Sequence, residues 1–210
     1  MKRVLFFNHE QRRLYFHEPA YLEVYKPIVE SGLATEAGIY VYQRDIRWLR
    51  SLLSRKVPEA ELATTIENIL FDLISHKIEE FRPTHIINSV AWPEDSIQAS
   101  LWRRIRQAHS FYLTSIIWDH DEARDELQNF DRETIKISDR TILADSLSRV
   151  QRIKSKVPPY QSFSDVDRVV FCPTVPAPSI FFPRAEQKHD VSLVGSSEGY
   201  RVKVEEALRQ

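Results

Sequence analysis

The sequence predicts an α/β protein: a Rossmann-like, doubly wound, mainly parallel sheet, followed by a linker and the first strand–loop–helix of a second α/β domain. Two observations predict the sheet. Short apolar runs such as Val4–Phe7 and Val169–Phe171 have the length and composition of strands buried on both faces. Between them lie stretches with helical apolar spacing, and that alternation implies βαβ units. A third observation predicts the rest. After a proline-laden passage from Cys172 to Pro183, a new unit opens at Asp190-Val191-Ser192-Leu193-Val194-Gly195-Ser196. The expected organisation is a domain over 1–172, a linker over 173–189 and the start of a second domain over 190–210.

The elements follow in order. Val4-Leu5-Phe6-Phe7 makes the first strand, and Tyr21 to Ser31 reads as a helix stopped by Gly32, a residue suited to the left-handed position after a helix. Gly38 to Tyr42 reads as a second strand. From Pro58 to Phe81, apolar residues at Leu62, Ile66, Ile69, Leu70, Leu73, Ile74, Ile78 and Phe81 keep helical spacing, with Pro58 tolerated at the start. Pro83 breaks that helix, and His85–Val90 is a third strand. Asp95 with Gln98 resembles a capping box for a helix with Ile97, Leu101, Ile105 and Ala108 on one face. Phe111 to Trp118 is a fourth strand, followed by a short helix around Ala123 to Phe130. Thr141–Ala144 gives a fifth strand, Asp145 or Ser146 caps a helix through Ile153, and Val169–Phe171 is a sixth strand.

Composition narrows the class. The 42% hydrophobic and 28% charged content of these 210 residues is that of an ordinary globular domain. A net charge of −1 argues against nucleic acid as the partner. The single cysteine, Cys172, cannot close an intramolecular disulfide, which favours a reducing compartment. The N-terminal apolar run is too short for a signal sequence, so the expectation is a cytoplasmic protein.

Ligands of such sheets bind beyond the carboxyl ends of the strands, so the chemistry belongs in the loops there. The first loop has no glycine among the four in the chain, and a dinucleotide fingerprint is absent. Asn8 and His9 could instead meet a ligand by side chain, or form an ordinary polar loop. Trp118-Asp119-His120-Asp121-Glu122 is the densest polar cluster. Alternating residues of an extended chain point oppositely, which disfavours one metal shared by all of them, and no metal site is expected. Asp119 or His120 as a general base is one reading; a helix cap at Asp121 beside a solvated Asp119 is the other. Trp92 near Asp95 suits a sugar, with its apolar face and hydroxyl rim, and equally suits local packing with a cap. The arginines Arg103, Arg104 and Arg106 read as a solvated helix face, and Tyr40, Tyr42 and Trp48 as core or sheet surface. Gly195, Ser196 and Ser197 can bring backbone N–H groups to an anion at a helix start, with Arg201 adding charge.

Four features together resemble the N-terminal half of a GT-B glycosyltransferase, in particular the spore-maturation CgeB-like group of bacterial sugar transferases. They are the strand and helix start at Thr141–Ser146, the linker with Phe181-Phe182-Pro183, the opening Asp190–Ser196 followed by Arg201, and the strand–helix order from Val4 onward. The resemblance implies that the first domain holds a saccharide or other hydroxyl acceptor, through Asn8, His9, Trp92, Asp95 and Trp118, with Asp119 and His120 as catalytic candidates. Gly195, Ser196, Ser197 and Arg201 would meet the donor phosphates. It implies a nucleotide sugar as co-substrate, no tightly bound cofactor, and peripheral association with membrane or cell-envelope synthesis machinery. The acidic residues that grip the donor ribose would come after Gln210, so this chain alone is expected to fold without transferring sugar. The alternative is a non-catalytic ligand-binding or regulatory α/β module. A flavodoxin-like domain belongs to that class, whereas a receiver is disfavoured by the missing acidic pair after the first strand.

Overall fold

The structure is a computed structural model that describes residues 2–8, 29–90, 93, 96–117, 125–143, 147–158, 160–161 and 166–171. Its strands are β1 (Arg3–Asn8), β2 (Glu36–Val41), β3 (His85–Val90), β4 (Tyr112–Ile117), β5 (Arg140–Leu143) and β6 (Val169–Phe171). Its helices are α1 (Tyr42–Leu53), α2 (Glu59–Phe81), α3 (Ala99–Ala108), α4 (Asp125–Ile137) and α5 (Leu147–Lys154). All pairings are parallel, in the order β2-β1-β3-β4-β5-β6. This is the doubly wound α/β class. The expected linker and second unit, over 173–210, lie outside the described residues.

Register and burial show which face the helices cover. Leu5, Ile86 and Leu113 stand in one row across β1, β3 and β4, and Val90, Ile117 and Leu143 in another. The first row packs with α1, α2 and α3 through Tyr42, Ile46, Leu70, Ile74, Trp102 and Ile105. The second packs with α4 and α5 through Phe130, Ile135, Val150 and Ile153. Both rows share one face, so these five helices lie on the same side; the β1-to-β2 connection steps the opposite way across the sheet and is described only from residue 29 onward. Each crossover from β2 to β6 therefore steps in one direction with one hand, as parallel connections require. On the other face Val4, Phe6 and Ile116 are also buried, which explains why β1 is apolar without alternation.

Between these rows runs a third, polar one: Asn88, Ser115 and Thr141, all buried. The Ser115 and Ser138 hydroxyls are 2.8 Å apart, and Ser138 Oγ donates to the Thr134 carbonyl at 2.7 Å. The core is thus two apolar clusters with a polar seam between them.

Several local expectations are corrected. The second strand ends at Val41, and Tyr42 begins α1, which the alternation at Tyr40 and Tyr42 had concealed. Trp48 consequently sits on a helix and is 60% exposed, neither core nor sheet surface. The cap residue of α3 is Gln98, without a side-chain cap bond, and its amide reaches back to the Pro93 carbonyl at 2.5 Å; Asp95, expected to cap this helix, lies outside the described residues. Ala108 is exposed, and Trp102 takes its place on the buried face. The helix expected to end at Phe130 runs to Ile137. Pro83 does end α2, one residue after Arg82 adopts the left-handed φ of 51°. Among the described residues no helix is long and apolar enough to cross a membrane.

Candidate functional site

Because every strand is parallel, Asn8, Val41, Val90, Ile117, Leu143 and Phe171 all end at one edge of the sheet. β1 has β2 on one side and β3 on the other, so the winding reverses beside it. In open α/β sheets this switch point is where ligands bind. Buried polar side chains collect there: Asn8 is 6% exposed at the end of β1, Gln43 is the second residue of α1, Ser89 sits near the end of β3, and Ser96 leads into α3.

Tyr42 spans the switch point. Its Cα continues from β2, which pairs with β1, yet its hydroxyl donates to the Ser89 carbonyl on β3 at 2.7 Å. The ring is fully buried. Nearby, the Tyr40 hydroxyl donates to Asp45 Oδ2. Burial first, then that hydrogen bond and the Asp45 charge, push the Tyr40 phenol far above the ordinary tyrosine range. Tyr40 therefore stays protonated and braces the β2–α1 junction, with its ring edge-on to Phe7 at 5.1 Å.

One helical turn beyond Tyr42, Ile46 enters a cavity of about 350 Å³ framed by α1, α2 and the start of α3. Its walls are Ile46, Leu62, Ile66, Leu70, Ile97 and Leu101, and Arg50, Glu59, Glu67, Ser96 and Gln98 supply the polar groups. The cavity belongs to the same edge of the fold. α1 leaves the carboxyl end of β2 directly, and Ser96–Gln98 belong to the connection that leaves the carboxyl end of β3.

A second polar centre joins α4 to α5. Arg149 and Asp131 form an ion pair with side chains 2% and 3% exposed. Burial opposes the guanidinium charge, but the Asp131 carboxylate and Tyr160 more than offset it, so the Arg149 pKa rises. The arginines expected on a solvated face are partly exposed there, and each also has an ion-pair partner on another element. Arg103 pairs with Glu133, Arg104 with Glu67, and Arg106 with Asp139 at 2.9 Å.

Of the residues singled out from sequence, Asn8 is placed at the switch point. His9, Trp92, Asp95, Trp118, Asp119, His120, Gly195, Ser196, Ser197 and Arg201 lie outside the described residues, as does Cys172. The segments holding His9, Trp92, Asp95, Trp118, Asp119 and His120 begin where β1, β3 and β4 end, at this one edge. Sequence reasoning read Tyr42 as core or sheet surface, and it is core, but missed its contact with Ser89 and the cavity. The available signal was the pair Asn88-Ser89, two polar residues inside a strand otherwise fit for burial.

Comparison with known families finds no family model that matches the chain, and comparison with curated proteins finds no match.

Proposed function

We propose that the chain forms the acceptor side of a GT-B type glycosyltransferase, which moves a sugar from a nucleotide sugar to a hydroxyl acceptor in the cytoplasm. The observation that supports this reading is the convergence at the switch point. The segments carrying the candidate acceptor and catalytic residues leave the same sheet edge as buried Asn8, the edge from which α1 and the lead into α3 depart to line the cavity. In this reading Asp119 or His120 takes the proton of the acceptor hydroxyl as it attacks the anomeric carbon, and the nucleoside diphosphate leaves. Asn8, His9, Trp92, Asp95 and Trp118 hold the acceptor. Gly195, Ser196, Ser197 and Arg201 meet the donor phosphates, where N–H groups and a guanidinium stabilise the charge that develops on the leaving group.

The strand order β2-β1-β3-β4-β5 favours a second reading, since flavodoxin-like domains share it. Under that reading the chain is a non-catalytic ligand-binding or regulatory module.

Ligand-detected NMR of the 210-residue chain against UDP, GDP, dTDP and their common sugars separates the two. Saccharide binding that Asp119→Asn or His120→Gln weakens is the expected result. Indifference to every saccharide and nucleotide would leave the module reading in its place.

A further inference from the structure

The geometry points to the class of acceptor: a neutral amphipathic molecule whose apolar body fills the α1–α2–α3 cavity and whose hydroxylated head lies at its mouth. As an acceptor site this rests on the glycosyltransferase reading above; as a binding site it rests on the cavity alone. At about 350 Å³ the space falls at the lower end of small-molecule sites, which span about 300–1,000 Å³. Ile46, Ile66, Leu70, Ile97 and Leu101 are each below a tenth exposed, so the walls are rigid parts of the core. A bare monosaccharide would leave those walls without an apolar partner.

The mouth selects the head. It carries two carboxylates, Glu59 and Glu67, one guanidinium, Arg50, and the Gln98 amide, whereas Ser96 of the lining is buried. Glu67 is already held by Ser100 at 3.3 Å and lies 3.6 Å from Arg104, which ties α2 to α3. An anionic head would meet Glu59 and Glu67, and a cationic one would meet Arg50. A hydroxyl donates to carboxylates and accepts from a guanidinium or amide, so a polyol satisfies both signs at once.

The test uses octyl glucoside below its micelle concentration, with glucose, octanoate and octylamine as comparators, followed by backbone NMR of the whole chain. Octyl glucoside should bind saturably, with shifts centred on α1, the first half of α2 and the start of α3, and more tightly than the three comparators. Ala63 lies on the exposed rim of the cavity, so Ala63→Trp plugs the mouth without touching the core. It should weaken binding by about tenfold or more, a loss easily resolved in a titration. Thr64→Trp, one residue along and outside the lining, should leave binding unchanged. No shifts at these helices, tighter binding of octanoate or octylamine, or an Ala63→Trp variant that binds normally would each overturn the assignment. The two proposals fail separately. If octyl glucoside seats in the cavity while nucleotides, sugars and the Asp119 and His120 variants change nothing, the transferase reading falls and the pocket stands. If saccharides bind at the Asn8 edge but the cavity stays silent, only the pocket falls.

Discussion

The hydroxyl of Tyr42 and the backbone carbonyl of Ser89 meet at 2.7 Å in a fully buried setting, joining the end of β2 to the end of β3 across β1. The bond fixes where α1 departs from the sheet, and α1 supplies Ile46 and Arg50 to the cavity. Tyr42→Phe keeps the ring and leaves the carbonyl without that donor, which should cost about 1–3 kcal/mol. Denaturant unfolding measures the loss. If the bond also positions α1, octyl glucoside binding should weaken in the same variant.

Gly38 is required by packing. A Cβ there would lie 2.9 Å from the Phe81 ring and 3.3 Å from Leu5 Cδ1. Gly38→Ala should destabilise the fold by about 1–3 kcal/mol through overpacking. Combining it with Phe81→Leu, which withdraws the ring, should restore part of that loss. A thermal melt of the four proteins checks both statements.

The Asp131–Arg149 pair is a stringent test of the α4–α5 packing. Asp131→Asn strands a buried guanidinium and should cost about 3–5 kcal/mol. The apolar double variant Asp131→Leu with Arg149→Met should be far less damaging, because no uncompensated charge remains. A double variant as unstable as Asp131→Asn would show that the pair does more than compensate its own burial.

His85 links stability to pH. Burial, and after it the Lys2 charge, lower its pKa from the ordinary 6.5. A histidine depressed in the folded state binds its proton more readily when unfolded. Its contribution is therefore intact above the ordinary value and is lost as the pH falls through the folded pKa. Unfolding curves at about pH 7.5 and about pH 5 should show a drop that His85→Asn reduces. The carboxylates, Glu133 among them through its Lys136 hydrogen bond, act at lower pH and remain in both proteins.

The first strand was legible because burial on both faces leaves a continuous apolar run at Val4–Phe7, and β6, at the end of the sheet order, kept an apolar run although only Val169 of it is fully buried. The sequence concealed α1 because it begins with no turn after β2 and no side-chain cap, while Tyr40 and Tyr42 imitate strand alternation. Most of α4 was hidden for another reason. Asp131 and Thr134 occupy buried positions where a helical pattern leads one to expect apolar residues, and the partner of Asp131, Arg149, comes from α5. The switch point was half legible: Asn8 could be read from the end of the first strand. The Tyr42–Ser89 contact joins residues 47 apart, and no local pattern announces it.

The order of the strands also constrains how the chain is made. β1 emerges first, and Leu5 and Phe7 are wholly buried in the finished sheet. Its inner neighbour, β3, begins only at His85, and the Arg3–Thr84 hydrogen bond that leads into that ladder closes a loop of 81 residues. Until then β1 has only the edge strand β2 to pair with. A nascent chain at this stage presents an unpaired apolar strand edge, the kind of surface that chaperones cover and that other copies can capture. Non-local ladders of this kind form slowly in general, because the loop-closure entropy falls due before the contacts reward it.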